Sequence, residues 1–85
     1  MISVKCLGHI GTSVGAKEVE LDGGELQAAE IIEKLRSATG LSDPGFSKFN
    51  TLVMVEDGEA FVPAGVDKLV RDGQKVVLLP FSHGG

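Results

Sequence analysis

The sequence has a single cysteine, Cys6, so no disulfide can close within the chain and a four-cysteine iron–sulfur site is excluded. A lone thiol is compatible with a reducing cytoplasm, which is the expected location. The only histidines, His9 and His83, stand alone, with no second cysteine and no His-x-x-x-His spacing, and no metal site is expected. No apolar run approaches the roughly 18 residues that a membrane helix needs. The first six residues do not join a basic region to a long apolar core, so neither a signal peptide nor membrane association is expected. Lysines are scattered, the net charge is −4 and the pI is near 5.0, which argues against binding a nucleic-acid backbone. Repeats and low-complexity linkers are missing too.

What remains is an ordinary globular composition. The 85 residues are 42% hydrophobic, enough for one domain with one modest core. Ile2 to Lys5 alternates apolar and polar, and Ile2, Val4 and Cys6 share one face of a half-buried strand. Cys6 on that face reads as a small core residue, not a nucleophile. Gly8 to Gly15 is a glycine-punctuated connection with no helix. It fails as a phosphate loop, because Gly11 and Gly15 are one residue too close and Lys17 does not follow the glycine directly. Lys17–Leu21 alternates again, with Val19 and Leu21 inward, and should pair with the first strand.

The period then changes. Between Glu25 and Thr39, Ala28, Ile31, Ile32, Leu35 and Ala38 fall on one face of a helix. Glu25 in its first turn and Lys34 and Arg36 near its end suit the helix dipole, Glu30 and Lys34 form an i,i+4 pair, and Gly40 stops it. The stretch 41–50 is a loop in which Phe46 and Phe49 close the end of the core. Thr51–Glu56 is a strand, Asp57-Gly58 a turn, and Ala60–Val62 a short returning strand broken by Pro63. Asp67–Val70 is an irregular link or single helical turn, followed by a tight turn at Arg71-Asp72-Gly73. Lys75–Leu79 reads as a central strand covered on both faces. The first and last strands, being the most apolar, are expected to be neighbours. The order is β-β-α-β-(short β)-β, a two-layer α+β domain over residues 1–80.

No acid–base pair, serine elbow or metal set emerges, so no catalytic residue is assigned and the chain is not expected to be an enzyme by itself. The chemistry is expected in the tail, residues 81–85, Phe81-Ser82-His83-Gly84-Gly85. Without a Cβ, Gly84 and Gly85 can thread a narrow channel. A carboxylate on Gly85 is inert until an enzyme converts it to an acyl-adenylate, after which sulfur or a lysine amine can attack the carbonyl. Phe81, an aromatic residue on such a tail, is expected to anchor it to a partner.

Three stretches carry a resemblance: Val4–Gly8, Val14–Leu21 and Leu69–Val76, followed by Leu79-Pro80 and the closing Gly84-Gly85. In this order they are similar to the β-grasp sulfur carriers related to ubiquitin, the MoaD- and ThiS-like proteins and the small archaeal modifiers. The resemblance covers nearly the whole chain. It implies a ubiquitin-like β-grasp fold, with a mixed four- to five-stranded sheet covered by one main helix. It also implies that a ubiquitin-activating-type adenylyltransferase uses ATP to adenylate Gly85, the carrier itself binding no cofactor. The product would be a thiocarboxylate that feeds a sulfur-accepting synthase subunit or tRNA thiolation, or an isopeptide bond to target-protein lysines. His83 departs from the small residue usual in molybdopterin synthase subunits and is closer to the ubiquitin-related modifiers. It reads as a tolerated residue of the tail.

Overall fold

A computed structural model describes residues 1–39 and 51–80, apart from the side chains of Ser13 and Thr39. Nine elements follow in order: β1 (Ile2–Cys6), α1 (His9–Val14), β2 (Glu18–Leu21), β3 (Glu25–Gln27), α2 (Ala28–Thr39), β4 (Thr51–Asp57), β5 (Ala60–Ala64), β6 (Leu69–Arg71) and β7 (Lys75–Pro80). Five strands form one mixed sheet in the order β2-β1-β7-β4-β5, and β3 and β6 pair separately. The expected neighbours are found. β1 runs parallel to β7, with Val4 opposite Val76, and antiparallel to β2, with Val4 opposite Val19.

The core follows from the period-2 alternation of the strands. Ile2, Val4 and Cys6 of β1, Val53 and Val55 of β4, and Val76 and Leu78 of β7 turn to one face and are buried. Ile31, Ile32 and Leu35 of α2 pack against them, and Val19 and Leu21 of β2 close the side. Full burial of each Val, Leu or Ile contributes about 1.5–3 kcal/mol. Cys6 is only 2% exposed, and burial pushes its thiol pKa up, in keeping with a packing role.

Five readings need correction. The glycine-punctuated stretch is not a helix-free connection: it holds α1, framed by Gly8 at φ 60° and by Gly15 in the left-handed region. Ile10, fully buried in the core, nails this short helix down, with Val14 one turn later packed beside it. Glu25 is not in the first helical turn but in β3, opposite Arg71, and α2 begins at Ala28. On α2 an ion pair joins Arg36 to Glu33 at 3.5 Å, while a Glu30 carboxylate oxygen accepts the Gln27 N–H at 3.0 Å. The link before the Arg71 turn is extended: Leu69–Arg71 pairs with Glu25–Gln27 and sends Val70 into the core beside Leu26.

Pro63 does not end β5, which runs to Ala64. A two-residue turn, with Gly58 at φ 66°, makes Asp57 and Ala60 a hydrogen-bonded pair, and every second pair follows suit. Pro63, opposite Met54, therefore turns its nitrogen to the free edge, where no donor is needed. Finally, among the described residues no element covers the second face of β7. Val76 and Leu78 are buried, but Val77 and Leu79 remain half-buried on the opposite face. Gly40, Phe46 and Phe49 lie outside the described residues, as does the tail with Phe81, His83, Gly84 and Gly85.

Candidate functional site

The sheet face turned away from α2 is built by the residues between the core positions. Strand register arranges them in rows. Met54 of β4 lies opposite Val77 of β7 and Pro63 of β5, and Leu52 lies opposite Leu79. Phe61 sits opposite Glu56 and is 42% exposed, a large fraction for an aromatic side chain. Leu52, Met54, Val77 and Leu79 are all half-buried. Together they make an apolar stripe across the middle strands, densest toward the end of β7. Charge borders it: Lys5 and Glu18 face each other on β1 and β2, and Lys75 lies beside Ser3. An apolar centre with a charged rim is the usual anatomy of a protein-docking surface.

The stripe ends where β7 ends. Pro80 is the last residue of β7 and lies opposite Thr51, the first residue of β4. Gly8 supports it from below: a Cβ on Gly8 would come within 3.1 Å of Pro80 Cγ. Gly8 also needs its φ of 60° and ψ of −142°, a conformation open essentially to glycine alone. The glycine thus sets both the turn into α1 and the close seat of Pro80, which fixes the point from which the chain continues into residues 81–85. Thr51 is only 5% exposed, and its Oγ1 has no hydrogen-bond partner among the described residues.

The residues that the sequence singles out for chemistry, Gly84 and Gly85, and the anchor Phe81 lie outside the described residues; the structure places Pro80 immediately before them. Among the described residues, no three His, Cys, Asp or Glu side chains converge as metal ligands, and no helix is long and apolar enough to cross a membrane. Sequence reasoning missed the apolar stripe. The signal was present: a chain with one long amphipathic helix can cover only one face of its sheet, so the continuous apolar run of β7 must leave its alternate residues open.

No protein-family model and no curated protein matches the sequence. Solved structures do. SAMP1 from Haloferax volcanii superposes with a TM-score of 0.70 at 20% identity, over 99% of this chain and 98% of that one. A chain of the Amycolatopsis orientalis BexX/CysO complex gives 0.66 at 23% identity, with both chains covered completely (100%). A putative molybdopterin converting factor subunit 1 from Pyrococcus furiosus gives 0.61 at 20% identity, over 93% of this chain and 94% of that one. At this identity the likeness is one of fold, and it extends over essentially the whole of each chain. The chain has the ubiquitin-like β-grasp fold.

Proposed function

We propose that this protein is a ubiquitin-like sulfur carrier, a substrate of partner enzymes with no catalytic centre of its own. The observation that carries the proposal is the placement of the apolar stripe. Leu52, Met54, Val77 and Leu79 run to the end of the sheet at which Pro80 hands the chain to Phe81–Gly85. A partner docked on this face has the tail within reach, since five residues fully extended span roughly 17 Å. Gly84-Gly85 then threads the partner's channel, and Phe81 anchors the start of the tail. The likeness in fold to a chain of a solved complex and to a converting-factor subunit supports a role in assemblies.

The chemistry belongs to Gly85. Its carboxylate oxygen attacks the α-phosphorus of ATP on an adenylyltransferase, pyrophosphate leaves, and an acyl-adenylate forms. A hydrosulfide sulfur then attacks the carbonyl carbon and AMP leaves with its oxygen, giving the thiocarboxylate. From a persulfide donor the same attack gives an acyl disulfide, which a thiol cleaves to the thiocarboxylate while itself ending in a disulfide with the donor. That sulfur passes to a synthase subunit for a molybdopterin-type cofactor or to a tRNA base. A second reading, conjugation of Gly85 to lysines, is favoured by His83 next to the diglycine and by the likeness in fold to SAMP1. The two share every step up to the adenylate. ATP–pyrophosphate exchange with a cognate adenylyltransferase tests that common step. The full chain supports exchange, and deletion of Gly85 abolishes it with the melting temperature unchanged. Exchange that survives the deletion overturns the assignment.

A further inference from the structure

Among the described residues the sheet has two free edges, β2 and β5, and they differ in what they offer. On β5 two positions face outward, Phe61 and Pro63, and one of the two, Pro63, has no N–H to give. On β2 no described residue blocks the edge. Cys6 N donates to Lys17 O at 2.8 Å, so Cys6–Lys17 is a hydrogen-bonded pair, as are Val4–Val19 and Ile2–Leu21 two and four residues on. The residues between, Glu18 and Glu20, therefore aim both their N–H and C=O groups away from β1, toward the free edge.

Beside this edge, between β2 and α2, runs a groove of about 610 Å³. Leu21, Ala29 and Ala38 supply its apolar lining, and Asp22, Glu30 and Glu33 outnumber Lys34 along it. We infer that β2 and this groove receive an extended peptide as a sixth strand, and that the peptide alternates basic and apolar residues. The alternation follows from register. Residues opposite Val19 and Leu21 turn to the helix side and enter the apolar groove. Residues opposite Glu18 and Glu20 turn to the other face, where cations meet two carboxylates. Main-chain bonds give the affinity, and this face-by-face difference gives the selectivity. A second copy of the chain is a poor occupant through the same edge, because β2 against β2 sets Glu18 and Glu20 against like charges. The inference does not rest on the chemistry of Gly85.

The probe is an end-capped six-residue peptide of alternating lysine and valine. Its controls are a glutamate–valine alternation and a peptide with the lysines and valines in separate blocks. Binding to the full isotopically labelled chain is read from amide shifts and hydrogen exchange. The alternating lysine peptide is expected to bind roughly tenfold more tightly than either control, to protect the amides of Glu18 and Glu20, and to weaken as salt rises. Glu20→Pro removes one outward donor and no existing ladder bond, and should lower binding about tenfold while ATP–pyrophosphate exchange stays intact. If that variant folds poorly, Glu18→Lys with Glu20→Lys serves instead and should reverse the preference toward the glutamate peptide. Equal binding of the three peptides, shifts confined to another surface, or protection of the same amides by self-association without peptide would each overturn the inference.

Discussion

Gly8 supports the point where the tail begins, and its replacement by alanine can be worked through from the structure. The backbone at φ 60° and ψ −142° is one that a side chain tolerates only under strain, at a cost of about 1–3 kcal/mol. The new Cβ would also lie 3.1 Å from Pro80 Cγ and 3.4 Å from its Cδ. A proline ring cannot swing aside as a lysine stem can, so the end of β7 must shift, which adds about 1 kcal/mol at the low end of overpacking costs. The sum is about 3 kcal/mol, a large part of the 5–15 kcal/mol typical of a small domain. For a chain of this size it corresponds to a fall of roughly 12–24 °C in Tm. Gly15→Ala is the matched control. Its φ of 85° is also left-handed, but nothing lies within 4 Å of the new Cβ, so only the backbone cost of about 1–2 kcal/mol applies. Urea unfolding followed by circular dichroism measures both variants. Equal losses would mean that Pro80 is not seated on Gly8 and that the exit of the tail is not fixed there.

Three further outcomes are expected. Met54→Lys places a cation in the middle of the open apolar stripe, where the long side chain can reach water. Stability should change by less than about 1 kcal/mol, while docking to the adenylyltransferase, measured by calorimetry, weakens about tenfold; unaltered affinity would move the docking surface elsewhere. Thr51→Val replaces a buried hydroxyl that has no partner among the described residues, and should be neutral or stabilise by up to about 1 kcal/mol in denaturant titration; a loss above about 1 kcal/mol would show that the hydroxyl is bonded after all. The amine of Met1 is hydrogen-bonded to Asp72, which raises its pKa, and burial raises that of Cys6. The folded chain therefore holds these protons more tightly than the unfolded one, and the stability they contribute is present below about pH 8 and lost as pH rises through the folded values. Asp72→Asn should remove the part of this decline due to the amine. An unchanged slope in alkaline melts would mean that the pair does not persist in solution.

Much of the architecture is legible in the sequence, because it rests on periodicity. Ile2, Val4 and Cys6 declare a strand face, and Ala28 through Leu35 a helix face, since burial on one side forces those spacings. The short elements are not legible in this way. β3 and β6 each send one residue inward, Leu26 and Val70, and a single apolar residue has no period. Helix α1 is concealed by its glycines, although Ile10 and Val14 stand one turn apart and both meet the core. Pro63 misleads for a different reason: whether proline ends a strand depends on which edge its nitrogen faces, and that is fixed by the turn at Gly58 and not by β5 itself. The open stripe was obscured because a continuous run such as Val76–Leu79 looks alike whether a second helix or a partner meets its outer face. Gly84 and Gly85 are legible as a motif and lie outside the described residues, so their role stays with the proposal.

The central claim is that the Gly85 carboxylate is the group on which partner enzymes act. Intact-mass measurement of the protein purified from its native cells, with fragmentation of the C-terminal peptide, tests it most directly. The sulfur-carrier account predicts a fraction of chains in which one oxygen of the Gly85 carboxylate is replaced by sulfur. A population made up wholly of unmodified carboxylates, in cells expressing the activating enzyme, would contradict it.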